Sequence, residues 1–176
     1  TEDGRLWAVR YEGAEDNALD AVFNQWNDVL WLREFFKANI DDLVSYFKIT
    51  DVNDAIYDTI EDSNKLECLI LDISPDADLD KLFRPLENSR IDEKLLSKEK
   101  ARIHNRPHHA SWLRIDAIKL EPGKYIIPGG AIKLTATMQE REHTLRELQN
   151  MEKVRQFLIA NNVIDEDAFQ DYLKEL

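Results

Sequence analysis

Two runs of β-forming residues on either side of a Pro-Gly turn constrain the fold more than any other feature of the chain. Residues 112–120 read WLRIDAIKL and residues 124–135 read KYIIPGGAIKLT, with Pro122 and Gly123 between them. Proline restricts φ to about −65° and glycine accepts positive φ, so this dipeptide suits a tight turn. The spacing predicts that the two runs are adjacent antiparallel strands.

The second run contains three residues that do not suit a regular strand. Pro128 can donate no backbone hydrogen bond, which places it at a sheet edge or at a bulge. Gly129 and Gly130 indicate a bulge or a close approach of another backbone. The sequence therefore predicts an irregularity within the second strand of the hairpin.

The rest of the chain shows one more strand pattern and several helical patterns. Residues 6–11, LWAVRY, are short and rich in aromatic and β-branched residues, as expected for a strand. Helical spacing of apolar residues runs from about residue 15 to residue 73, with candidate N-caps at Asn27 or Asp28 and at Asp51. Further expectations are a helical turn at residues 79–83, a polar loop at residues 86–110, a helix opened by a Thr144 and Glu147 capping box, and a last helix from Asp165.

These patterns predict an α+β fold in a chain of 176 residues, which is long enough for one domain with a hydrophobic core. We expect a small antiparallel sheet, made of the N-terminal strand and the C-terminal hairpin and flanked by helices, with a large helical insertion after the first strand. Within a single domain at 1–176, the segments are a first strand at 1–13, an acidic helical region at 14–85, a basic loop and the hairpin at 97–137, and C-terminal helices at 144–176.

A single cysteine and the lack of a long apolar run indicate a reducing, aqueous compartment. Cys68 has no second cysteine to pair with, and it lies among apolar residues where a buried thiol is expected. No run approaches the roughly 18 apolar residues of a membrane span, and the first residues lack a signal-peptide pattern. We therefore expect a cytoplasmic protein that does not bind membranes.

The charge of the chain is distributed unevenly. The net charge is −12, yet residues 97–137 contain eight lysines and arginines against three acidic residues. That segment has a net charge of +5 and the remainder has −17. Positive charge is therefore concentrated where the rest of the surface repels anions, as expected of a local anion site.

Three of the four histidines lie in the same segment, at His104, His108 and His109. A metal site, a solvated basic loop, and a loop that binds anions and transfers protons all remain open interpretations. The chain has no glycine-rich phosphate loop, no HExxH motif and no cysteine pair for zinc. The loop also contains four cations that suit phosphodiester binding, namely Lys98, Lys100, Arg102 and Arg106.

A series of short motifs follows this basic segment. Residues 112–115 (WLRI) lead through the turn to residues 124–127 (KYII), then to residues 130–135 (GAIKLT), and residues 142–144 (EHT) enter a helix that contains Arg146, Glu147 and Arg155. Over about residues 97–160 the chain resembles the RelE/HigB-type toxins of bacterial type II toxin–antitoxin systems. The resemblance implies a small antiparallel sheet with flanking helices whose basic residues cleave messenger RNA, typically on the ribosome, without a metal or other cofactor.

The same resemblance implies roles for individual residues. Arg114 and Lys133 match the family's basic positions and would clamp the scissile phosphate. Candidates for proton transfer, chosen from residue chemistry, are His104, His108, His109 and Tyr125, and candidates for RNA binding are Lys98, Lys100, Arg102, Arg106 and Lys119. We expect Arg114, Lys133 and at least one of the histidines of the loop to converge in one RNA-sized groove. The implied partner is a cognate antitoxin, of helix-turn-helix type, that covers the basic patch.

Two observations leave the function open. Asp116 shares a strand face with Arg114, by the strand period of two, and can offset its charge. The acidic helical region has no counterpart in the resemblance. An alternative function is therefore a non-catalytic module whose acidic helical half binds a basic partner.

Overall fold

The computed structural model describes residues 4–71, 78–86, 96–103 and 108–175. The strands are β1 at Leu6–Ala8, β2 at Arg84–Pro85, β3 at Lys98–Ala101, β4 at Leu113–Glu121 and β5 at Lys124–Ile132. The helices are α1 at Ala18–Asn27, α2 at Val29–Ala38, α3 at Ile40–Asp42, α4 at Val52–Leu71, α5 at Leu79–Leu82, α6 at Glu142–Ala160 and α7 at Glu166–Glu175. A π-helical turn at Leu43–Phe47 follows α3, and a 3-10 turn at Met138–Glu140 precedes α6. The predicted α+β class is confirmed.

The five strands form one sheet in the order β1-β5-β4-β3-β2. β4 and β5 are antiparallel neighbours, with Glu121 opposite Lys124 and Leu113 opposite Ile132. Gly123 adopts the positive φ of 77° that the turn requires. The predicted hairpin is therefore confirmed. β1 pairs with the other edge of β5 in parallel, which makes the sheet mixed rather than wholly antiparallel.

The predicted irregularity lies in the middle of β5. Asp116 pairs with Gly129 and Ile118 with Ile126, so three steps on β5 oppose two steps on β4. Such a register shift is a β-bulge, and it accommodates Pro128, which lies one residue beyond the last pair of β1 with β5. The bulge interpretation is confirmed.

The sheet separates two apolar cores because side chains alternate along β4. Leu113 and Ile115 pack with α1, α2 and α4 on one face, which we call the α4 face. Ile118 and Leu120 pack with α6 and α7 on the other, which we call the α6 face. The two faces therefore offer different surroundings to polar residues on the same strands.

Helices α2 and α4 begin at N-caps that the sequence predicts. Asp28 accepts hydrogen bonds from the N–H groups of Leu30 and Trp31 at the start of α2, and Asp51 accepts one from Asn53 at the start of α4. Both are N-caps of the ordinary kind. Among the described helices, none is long and apolar enough to cross a membrane.

The expected polar loop at residues 86–110 is wrong in part. Lys98–Ala101 is strand β3, and Lys100 pairs with Asp116 of β4. The segment has no apolar alternation, so its strand conformation depends on the neighbouring strand and not on its own pattern. This pairing places Lys100 on the α6 face of the sheet, beside Asp116.

Two smaller expectations are corrected. Thr144 is not the N-cap of α6, since it lies within the first turn and donates to the carbonyl oxygen of Met138 at 2.5 Å. The capping box is instead formed by Thr137 and Glu140, at the 3-10 turn that precedes α6. Cys68 is exposed, because it lies on the side of α4 that faces away from the core.

Candidate anion-binding site

Three cations from separate segments meet on the α6 face of the sheet. Arg114 is on β4, and Lys100 on β3 lies opposite Asp116, two residues further along the same face. Lys133 follows β5, and its N–H donates to the carbonyl oxygen of Trp112 at 2.8 Å. All three side chains line one pocket of about 130 Å³. We call Lys100, Arg114 and Lys133 the cationic pocket.

Arg114 is the most enclosed of the three cations. Arg114 is only 7% exposed. Its Nη1 donates to the carbonyl oxygens of Ser111 and Leu113, each at 2.6 Å. Two backbone carbonyls thus hold the guanidinium in one position. A fixed cation in a water-poor environment interacts more strongly with an anion than a mobile one at the surface.

The segment after β5 also lines the pocket. Lys133 Nζ donates to the carbonyl oxygen of Ala136 at 2.6 Å. The N–H and hydroxyl of Thr137 both donate to Glu140 Oε1, at 2.6 and 2.9 Å. Clefts that enclose a whole small molecule measure roughly 300–1,000 Å³. The cationic pocket is smaller, and its size suits one phosphate group of a longer molecule.

A buried carboxyl group lies beside Arg114 and Lys100 on the α6 face. Asp116 is 1% exposed, and within the described ranges neither of its carboxyl oxygens has a hydrogen-bond partner. Burial and the neighbouring Glu147 raise the pKa of Asp116 to about 7, against the lowering effect of Arg114 and Lys100. Burial also raises the pKa of Glu147. Asp116 and Glu147, which we call the carboxyl pair, therefore oppose each other's ionisation.

His109 lies apart from the cationic pocket. Its imidazole stacks on Trp112, with ring centroids 4.6 Å apart, and Nε2 lies 2.8 Å from Asp58 Oδ2 on α4. Trp112 itself donates to Thr59 of α4. His109 thus connects the end of the loop to the α4 face, and it does not line the pocket of Arg114 and Lys133. His108 is exposed, and His104 lies outside the described residues.

Tyr125 and Lys119 belong to a separate polar cluster on the α4 face. The Tyr125 hydroxyl and Lys119 Nζ both reach Asp80 Oδ1, each at 2.5 Å. Burial and the hydrogen bond to Asp80 raise the pKa of Tyr125 well above its usual value. Glu99, which is 4% exposed, lies beside them, and burial raises its pKa. Neither Tyr125 nor Lys119 lines the cationic pocket.

The other candidates for RNA binding occupy different positions. Lys98 is on the α6 face, where Nζ forms an ion pair with Glu152 of α6 at 2.9 Å. Arg102 is half-buried just after β3, and Arg106 lies outside the described residues. The structure therefore brings together Arg114, Lys133 and Lys100 from the predicted set.

The described residues contain no group of three or more His, Cys, Asp or Glu side chains placed to hold a metal ion. Sequence reasoning did not include the carboxyl pair among the functional candidates, although the strand period placed Asp116 beside Arg114. The effect of Glu147 on Asp116 could not be predicted, because the sequence pattern places Glu147 in a capping box with Thr144. The glycine doublet at Gly129 and Gly130 is the one sequence feature that indicates this close approach. A β-carbon at Gly129 would lie 2.5 Å from Glu147 Oε2.

Comparison with models of known protein families, with curated proteins and with solved structures gives no match to this chain.

Proposed function

We propose that the cationic pocket binds a phosphate of an RNA chain and that the protein is a metal-independent endoribonuclease of the toxin type. The observation that carries the proposal is the convergence of Lys100, Arg114 and Lys133 in one phosphate-sized pocket. The net charge of −12 makes this local concentration of cations unlike the rest of the chain.

RNA cleavage by its own 2′-hydroxyl needs two kinds of groups. Cations must stabilise the extra charge on the phosphorane, and the cationic pocket supplies three of them. A base must accept the hydroxyl proton and an acid must protonate the leaving oxygen. His104 and His108 are the candidates for these transfers, because His109 is held against Asp58 on the α4 face.

Cleavage of a defined messenger RNA, with and without translating ribosomes, tests the proposal. Lys133→Ala and Lys100→Ala should each lower the cleavage rate by about a hundredfold, as loss of a single charge-stabilising donor does in other enzymes. Expression of the wild-type chain should arrest growth, and expression of a double Arg114→Ala and Lys133→Ala variant should not.

Lys37→Ala is the matched control, since it removes one positive charge from α2, where the side chain is 60% exposed. Its cleavage rate should equal that of the wild type. Equal rates in Lys100→Ala, Lys133→Ala and Lys37→Ala would show that the pocket does not act on RNA.

A specific observation favours a second candidate function, a non-catalytic module that binds a basic partner. The acidic helical region exposes large apolar side chains, with Leu30 73% exposed, Tyr57 69% exposed and Leu69 52% exposed. Apolar contacts within an acidic surface suit a protein partner with basic residues around an apolar centre. If this candidate is correct, charge reversal on α2 and α4 should abolish partner binding, and alanine at the cationic pocket should have no effect.

A further inference from the structure

Asp116 is buried at a position where a permanent negative charge is costly. Its neighbours on the α6 face are two pocket cations, Lys100 opposite it on β3 and Arg114 on its own strand. Yet neither cation is within hydrogen-bonding distance of its carboxyl oxygens, which have no partner in the part of the chain that the structure describes. A buried carboxylate without hydrogen bonds favours the protonated form.

The other charged or titratable groups around Asp116 add to this effect. Glu147 of α6 approaches through the space above Gly129, the residue that pairs with Asp116 on β5. Tyr11, after β1, donates its hydroxyl to the carbonyl oxygen of Pro128 at 2.7 Å, and both carboxyls of the pair act on it electrostatically.

We propose that the carboxyl pair is the proton-linked control of the cationic pocket: binding of a phosphodiester at Lys100, Arg114 and Lys133 is accompanied by proton uptake at Asp116. This inference rests on the proposed function, because it requires the pocket to bind the phosphate of RNA.

The physical reason is competition for the same cations. With the pocket empty, Lys100 and Arg114 partly stabilise an ionised Asp116. A bound phosphodiester neutralises those cations and adds a negative charge nearby, so the protonated form of Asp116 becomes favoured. The linkage is reciprocal, and an ionised Asp116 therefore weakens phosphate binding. Asp116 acts here through its electrostatic interaction with Lys100 and Arg114 and does not contact the substrate.

A labelled hexaribonucleotide with 2′-O-methyl groups is the probe, since it cannot be cleaved and its phosphodiesters do not titrate near neutral pH. Its dissociation constant is measured at pH 6, 7 and 8 at constant ionic strength. For the wild type we expect binding to weaken by about tenfold from pH 6 to pH 8. Asp116→Asn should bind tightly at all three pH values, because it is neutral and has nearly the same shape.

Glu99→Gln is the matched control, since Glu99 is also a buried carboxyl on the sheet but belongs to the α4 face. It should keep the wild-type pH dependence. Calorimetry of the wild type in buffers of different ionisation enthalpy provides a measurement that needs no variant, and it should show proton uptake on binding at pH 7.

The outcomes separate the two proposals. If Lys133→Ala weakens binding but Asp116→Asn keeps the wild-type pH dependence, or calorimetry shows no proton uptake, the proton linkage is wrong and the proposed phosphate pocket stands. If the probe does not bind at any pH, or binding is unaffected by Lys133→Ala, both proposals are overturned.

Discussion

A β-carbon at Gly130 would lie 2.5 Å from the carbonyl oxygen of Arg114 on the neighbouring strand. Glycine at position 130 therefore allows β5 to approach β4 closely at Arg114, which lines the cationic pocket. The neighbouring atom is backbone, so it cannot rotate away as a flexible side chain would.

Gly130→Ala should lower the free energy of unfolding by about 1–3 kcal/mol, since the added methyl group must push two paired strands apart. Thermal or denaturant unfolding measures the change. Gly13→Ala is the control, because Gly13 has a positive φ of 78° but no heavy atom near an added β-carbon. A smaller loss of stability in Gly130→Ala than in Gly13→Ala would contradict the close approach.

Asp116→Asn should change how stability depends on pH. The folded state raises the pKa of Asp116 from 3.8 to about 7, so the folded protein holds this proton more tightly than the unfolded chain. The corresponding stabilisation is full below pH 3.8 and is lost as the pH rises to about 7, amounting to a few kcal/mol at about 1.36 kcal/mol per pH unit. Chemical unfolding from pH 4 to pH 8 should show a fall in wild-type stability that is reduced in Asp116→Asn. Parallel curves for the two proteins would refute the assignment.

His109→Ala should destabilise the protein without lowering its RNA cleavage rate. The variant loses the contact with Asp58 and the stacking on Trp112, which together contribute about 2 kcal/mol. Cleavage measured well below the unfolding temperature should match the wild type. A hundredfold loss of cleavage in a variant of unchanged stability would make His109 a catalytic residue after all.

The salt dependence of binding should report the number of pocket cations in contact with RNA. For single strands the slope of log K against log salt is roughly −0.7 for each neutralised phosphate. The three pocket cations share one phosphate, so Lys100→Ala and Lys133→Ala should each reduce the slope by at most about 0.7, and Lys37→Ala should leave it unchanged. The measurement is a titration of the uncleavable hexanucleotide at several salt concentrations, and equal slopes in all four proteins would exclude a contact between the pocket and phosphate.

The parts of the fold that could be predicted from the sequence are those fixed by neighbouring residues. The hairpin follows from Pro122 and Gly123, and the start of α2 follows from the side chain of Asp28. The strand at Lys98–Ala101 could not be predicted, because its conformation depends on pairing with β4. The surroundings of His109 were equally hidden, since its partner Asp58 is 51 residues away in the chain. Arg114 and Lys133 could be placed together because Arg114 lies on one strand of the hairpin and Lys133 directly follows the other.

The parallel pairing of β1 with β5 has a consequence for the order of folding. Leu6 pairs with Tyr125, so more than a hundred residues must be brought into a closed loop before this contact forms. The β4 and β5 pairing closes a short turn and carries a much lower entropic cost. We therefore expect β1 to join the sheet after the hairpin has formed. Pulse-labelling hydrogen exchange would then protect the hairpin amides earlier than the N–H of Val9, which donates to the carbonyl oxygen of Ile127.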